Sequence, residues 1–186
     1  MTDQRYYPGK LLLAMPGIGD TRFDHAVIAM CTHDEGGALG IGIGRTLPGV
    51  RLHGLLSQFK IDTAGVPDCS VHHGGPVEPQ RGFVLHSLDW SGQGSVQVAD
   101  RWCLSGTIDV LRVIGTARGP SRWLVALGYA GWGAGQLDGE MKRHGWHIAD
   151  GSDGLVFDTP ANERWKGAFG ESGIDPRLLA NNSGTA

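Results

Sequence analysis

Apolar residues fall along this chain in short runs and alternations, broken by glycine, proline and small polar clusters. That spacing predicts strands first and helices second. Lys10 to Met15 is an apolar run stopped by Pro16-Gly17 and reads as a buried strand. His25 to Thr32 and Ala38 to Ile43 are two more, and His33-Asp34-Glu35-Gly36-Gly37 between them is a turn signal, so the pair is expected as a hairpin. Val50 to Phe59 carries Leu52, Leu55, Leu56 and Phe59 at helical spacing, which predicts a short amphipathic helix. Val71-His72-His73 runs into a turn at Gly74-Gly75-Pro76-Val77. Arg81 to Leu88 and Ser95 to Ala99 then read as strands on either side of Asp89-Trp90-Ser91-Gly92-Gln93-Gly94.

In the second half, Thr107 is placed to cap a helix from Ile108 to about Thr116 that ends at Gly119-Pro120. Arg122 to Ala130 is a strongly apolar strand. The following Gly131-Trp132-Gly133-Ala134-Gly135 is expected to open a helix through about Arg143, with Leu137 and Met141 inward and Asp138 paired to Lys142 outside. Trp146 to Ala149 and Leu155 to Phe157 flank Asp150-Gly151-Ser152-Asp153-Gly154 as a further hairpin. Thr159-Pro160 starts a last helix through about Phe169. The order lacks the strand–helix alternation of a doubly wound sheet, and its hairpins imply antiparallel pairing, so the fold class is α+β.

Composition narrows this picture. A chain of 186 residues suits one domain, assigned to 1–180, with 181–186 (Asn-Asn-Ser-Gly-Thr-Ala) expected to fray. The 31 glycines, about double the usual share, have no collagen-like period and point to many tight turns. A net charge of −3 creates no field that draws nucleic acid or an anionic membrane, so neither is expected as a partner. Cys31, Cys69 and Cys103 cannot all pair internally and form no CxxC, which fits a reduced protein. The N-terminus does not read as a signal peptide and Leu11 to Met15 is too short to span a bilayer, so a cytoplasmic location is expected.

Four blocks carry a likeness to a known family. They are Gly9-Lys10-Leu11-Leu12-Leu13-Ala14-Met15-Pro16; Cys31-Thr32-His33 with Gly37-Ala38-Leu39-Gly40; Gly74-Gly75-Pro76-Val77 with Arg81-Gly82-Phe83-Val84-Leu85-His86; and Leu127-Gly128-Tyr129-Ala130-Gly131-Trp132-Gly133-Ala134-Gly135-Gln136-Leu137. In order and spacing, from about residue 9 to residue 170, the chain resembles the YqgE/AlgH family of small bacterial proteins. The resemblance implies a compact α+β fold on bent, mainly antiparallel, partly barrel-like sheets packed with short helices. It implies no established activity; one branch of the family is described as regulating exopolysaccharide production. After Gly40-Ile41-Gly42-Ile43 the family usually carries Asn and a basic residue, whereas Gly44 and Arg45 stand here.

Candidate chemistry comes from a few polar positions. Cys31 and His33 lie two apart in a predicted strand and are expected on one face, where an imidazolium would favour a reactive thiolate; the competing reading makes Cys31 a small buried hydrophobe. Arg81 and His86 bracket the best-matched strand, on opposite faces unless Gly82 permits a bulge. The glycine-rich junction lacks the Gly-Lys-Ser/Thr of a phosphate loop, so close packing around Trp132 explains it better, with Gln136 and Glu140 on one helix face. The eight histidines show no metal-ligand spacing, and no metal or other cofactor is expected. The expected ligand-binding set is His33, Arg81, His86, Trp132 and Gln136, gathered around one concavity. The expected function is a regulatory protein that binds an unknown protein or small-molecule ligand without strong catalysis. The alternative is a thiol-dependent enzyme or redox-active protein using Cys31 with His33.

Overall fold

The computed structural model describes residues 6–180, so the expected frayed tail at 181–186 lies outside the described residues. The chain opens with β1 (Leu11–Ala14), a short 3-10 turn (Thr21–Phe23), β2 (Val27–Asp34), β3 (Gly37–Gly42) and β4 (Thr46–Arg51). Next come α1 (Leu52–Gln58), β5 (Ser70–His73), β6 (Val77–His86), β7 (Val96–Val98), β8 (Trp102–Ser105) and α2 (Ile108–Val113). The long β9 (Trp123–Gly133) leads to α3 (Gln136–Lys142), β10 (Trp146–Ala149), a π-helical turn (Gly154–Asp158), α4 (Ala161–Glu171) and α5 (Pro176–Ala180).

The strands form one sheet in the order β10-β1-β2-β3-β9-β6-β8-β7, antiparallel along this path. β4 pairs with β5, and β5 joins β9 in parallel through His72↔Ala126 and His73↔Leu127. The sheet curls into a half-barrel, as the α+β class with bent sheets predicts. Two register shifts contribute to the curl, one in β2 between Met30 and Thr32 and one in β6 between Val77 and Gly82. Beside the second, β9 turns at Gly128 with φ 76°, and Gly74 and Gly75 lie flush against it. A Cβ on Gly74 would stand 2.1 Å from the Gly128 carbonyl oxygen, and one on Gly75 2.1 Å from the Tyr129 carbonyl carbon. The Gly-Gly-Pro block is therefore required by backbone contact.

Both faces of the sheet are covered, which is why β1 reads as an unbroken apolar run rather than an alternation. On the inner face Leu11, Leu13, Ala29, Cys31, Ile41, Phe83 and Leu85 pack around Ala168 and Phe169 of α4. On the outer face Leu12, Ile28 and Met30 pack at one end with Trp132, Trp146 and Leu137 of α3. At the other end, Leu52 and Leu56 of α1 and Val110 of α2 cover Val71, Val84 and Val125.

Several expected elements are corrected. Residues 146–149 pair with β1 (Leu11↔Ala149), not with 155–157, which lie in a π-helical turn. That turn buries the adjacent Leu155 and Val156 together, which an alternating strand facing solvent on one side does not do. β9 continues through Trp132 to Gly133 because β3 pairs with it there (Ala38↔Trp132, Gly37↔Gly133), and the helix starts only after Gly135 turns the chain at φ 70°. Asp138 faces His33 instead of Lys142. Thr107 does hold the N-cap position of α2, but its hydroxyl donates to the Gln93 carbonyl rather than capping the helix, which ends at Val113, short of Thr116. Strands β4 and β8 are additions to the expected set, and β4 is disguised in the sequence by Pro48 and Gly49. Among the described residues no helix is long and apolar enough to cross a membrane.

Candidate functional site

The residues singled out in the sequence separate into distinct places. The bulge in β2 makes Thr32 face Leu39 and returns His33 to the side of Ala38 and Trp132, while Cys31 stays with the inner core. Cys31 and His33 thus lie on opposite faces, which corrects the one-face expectation. The Cys31 thiol is buried, donates weakly to the Ala29 carbonyl (3.6 Å), and is pushed by burial up to about 12, the reverse of an activated thiolate. His33 is buried, stacked on Tyr7, with Nε2 3.7 Å from the Asp138 carboxylate.

Trp132 and Gln136 do meet, through Glu140. Its Oε2 accepts from Trp132 Nε1 (3.0 Å) and Trp146 Nε1 (2.7 Å), and its Oε1 from Gln136 Nε2 (3.3 Å). The carboxylate holds α3 against the outer face. Arg81 lies elsewhere: exposed, it pairs with Glu78 (3.2 Å) and covers the Phe83 ring, which belongs to the inner core. His86 is fully buried at the far end of β6, with Nε2 2.8 Å from Ser105 Oγ and Nδ1 2.9 Å from the Ser87 carbonyl. The structure brings together His33, Trp132 and Gln136 around α3, and sets Arg81 and His86 apart from them and from each other.

A different constellation stands out. α4 presents Trp165, Ala168 and Phe169 to the core, and Arg164, one turn before Ala168, lies on the same buried side with 3 % of its surface exposed. Its Nε donates to the Leu155 carbonyl (3.2 Å), and its Nη1 donates to the Ile43 carbonyl (2.7 Å) and to His72 Nε2 (2.6 Å). A guanidinium only donates, so Nε2 of His72 is the acceptor; Nδ1 then carries the proton and donates to the Val125 carbonyl (3.1 Å). His72 is neutral: burial first, and then the adjacent guanidinium, lower its pKa to about 4. Burial likewise lowers Arg164 to about 10, and it stays charged at neutral pH. The Asp158 carboxylate acts on Arg164 in the opposite sense, and it is also ion-paired with Arg122 at 3.4 Å.

The Nη2 group of Arg164 has no protein partner among the described residues and is not sealed off. Arg164 lines a cavity of about 660 Å3 between the β4–β5 pair and the start of α4. Trp123, Leu124, Val125 and Phe157 give the cavity an apolar wall, and Thr46, Ser70, Thr159 and Asn162 add neutral hydrogen-bonding groups. Arg45 sits on the rim, and no Asp or Glu belongs to the lining. Burying a cation costs several kcal/mol, roughly, unless it is paired, and the Asp158 charge, shared with Arg122, offsets only part of that cost at Arg164. The sequence contained one signal for it: an arginine on the apolar stripe of a predicted amphipathic helix. His72 carried no signal beyond its apolar neighbour; in β5 it is buried, and the adjacent His73 is exposed.

Fold and cleft together define an α+β protein on a curled, mainly antiparallel sheet, with a cleft lined by two arginines. The AlgH-like family matches residues 11–177, so the chain belongs to that family, as the four sequence blocks indicate. A UPF0301 protein of Rhizorhabdus wittichii is 63 % identical over 178 residues, covering 96 % of each chain. A UPF0301 protein of Sphingopyxis alaskensis is 58 % identical, covering all of this chain and 99 % of its own. The solution structure of the AlgH protein from Pseudomonas aeruginosa superposes with a TM-score of 0.79 at 34 % identity, over 100 % of this chain and 99 % of that one. The crystal structure of protein DIP2367 from Corynebacterium diphtheriae, at TM-score 0.70 and 18 % identity over 100 % and 95 % of the two chains, shares the fold.

Proposed function

We propose that this protein acts by binding rather than by turnover: it holds a small anionic molecule at Arg164, and the occupied cleft is what a regulatory partner reads. The observation that carries the reading is a buried guanidinium with an unused Nη2, on a residue that lines a cavity holding a second arginine and no carboxylate. Besides the arginines, the polar groups there are a neutral imidazole, two threonines, a serine, an asparagine and the Cys69 thiol, whose pKa burial raises; they position a ligand but supply no activated nucleophile or poised acid. The thiol alternative loses its support, since Cys31 is buried, raised in pKa and faces away from His33.

Thermal unfolding at matched ionic strength in sodium chloride, acetate and sulfate tests the proposal. An anion at ten times its Kd stabilises by about 1.4 kcal/mol, which for a chain of this size raises Tm by roughly 3–6 °C. Sulfate also stabilises proteins generally, so the reading depends on the increment lost in Arg164→Gln. Equal increments in the two proteins would overturn it.

A further inference from the structure

The Arg164 cleft has a neighbour. A second cavity of about 210 Å3 lies on the outer face, walled by Phe23, Ala26, Val27, Ile28 and Ala130. Gly44 and Arg45 line both cavities, so this two-residue strip is their common rim. Arg164 Nη1 donates to the Ile43 carbonyl, which places the guanidinium against the very peptide that enters Gly44. A charged group bound at Arg164 is thus one residue of backbone from the apolar cavity. The strip carries no side chain at Gly44, and a Cβ there would press on the start of β2, 3.0 Å from Val27 N, 3.2 Å from the His25 carbonyl oxygen and 3.4 Å from Val27 Cγ2 in the cavity wall.

The charges around the second cavity repeat those of the first. No Asp or Glu lines it. Of its two arginines, Arg22 is held by Asp20 at 2.7 Å. Arg45 donates only to the Arg22 carbonyl and has no carboxylate within ion-pair distance among the described residues. An apolar cavity left unfilled forfeits the packing its lining would otherwise make. A ligand with an apolar body supplies that packing, provided that it enters over Gly44.

We propose that the ligand is an amphiphilic acid, with its oxyanion head on Arg164 and its apolar chain crossing the bare Gly44 strip into the Phe23–Ile28–Ala130 cavity, and with Arg45 at the crossing. This rests on the reading of the Arg164 cleft as an anion site. Gly44 is then a specificity-determining position, because a larger side chain there, pressed against the start of β2, would displace the Val27 wall and narrow the crossing.

The test is a calorimetric titration of the full chain with sodium acetate, butyrate, hexanoate and octanoate. Affinity is expected to rise about fourfold for each methylene buried, until the cavity is full. In Gly44→Val the hexanoate-to-acetate affinity ratio falls toward one. Ala26→Leu fills the same cavity from a different wall and lowers the same ratio, so the test stands even where the Gly44 variant does not fold. Acetate or sulfate binding with no gain along the series overturns this inference and leaves the anion site intact. Absence of binding by any of these anions overturns both. A chain-length gain that persists unchanged in Arg164→Gln assigns the binding to an unrelated apolar surface and also overturns it.

Discussion

At the scale of single residues, His72 and Arg164 constrain one another. His72 is held below its ordinary pKa by burial and by the guanidinium, at about 4 against about 6.5 in the unfolded chain. Between those values the unfolded state binds more protons than the folded one, so stability is full above pH 6.5 and falls as pH drops toward 4. The shift corresponds to about 3 kcal/mol. Urea unfolding at pH 7.5, 6, 5 and 4.5 is expected to show His72→Gln losing less stability with acidification than the native protein, since His86 and His147, also lowered by burial, contribute equally to both. Parallel curves would show that His72 does not stay neutral in the fold. The cysteines make a second prediction. Cys31 and Cys103 are buried and Cys69 half-buried, and burial raises all three thiols. Thiol labelling of the native protein at pH 8 should therefore modify Cys69 first and leave Cys31 untouched until the chain unfolds. Rapid labelling of Cys31 would restore the thiol chemistry that the fold argues against.

At the scale of elements, the sequence conveyed what depends on local pattern and lost what depends on register. The hairpin of β2 and β3, the buried run of β1 and the helix after Pro160 follow from apolar spacing and turn residues, and they form as expected. The face of His33 could not be read, because one inserted residue at a bulge reverses every side chain beyond it, and nothing local marks the bulge between Met30 and Thr32. The candidate site was hidden for a related reason. Arg164 and His72 are 92 positions apart, and only the docking of α4 beside the β4–β5 pair makes them neighbours. The glycines offer a direct check on register-scale packing. Gly75 has φ 154° and lies flush on Tyr129, whereas Gly135 has φ 70° and a Cβ added there would meet nothing within 4 Å. Gly75→Ala should cost more than about 2 kcal/mol in chemical denaturation, and Gly135→Ala about 1 kcal/mol, the ordinary cost of a left-handed residue. Equal costs would mean that the chain after β5 does not approach β9 as closely as described.

At the scale of the whole molecule, a chain with net charge −3 places two arginines and no carboxylate around one cleft. The charge of this lining is therefore opposite in sign to the net charge, so under the proposed reading an anion is drawn by the site rather than by the surface as a whole. The position where the family usually carries Asn, Gly44 here, stands on the rim of that cleft. Members with a larger residue at that position should accept shorter ligands while sharing the curled sheet. The most direct test of anion binding at Arg164 is an NMR titration with sodium sulfate that follows the His72 ring and the backbone amides of residues 43–46, 70–73 and 157–164. Saturable shifts concentrated in those segments, and lost in Arg164→Gln, are the expected result. Shifts spread over exposed arginines such as Arg81 and Arg112, with those segments unmoved, would contradict it.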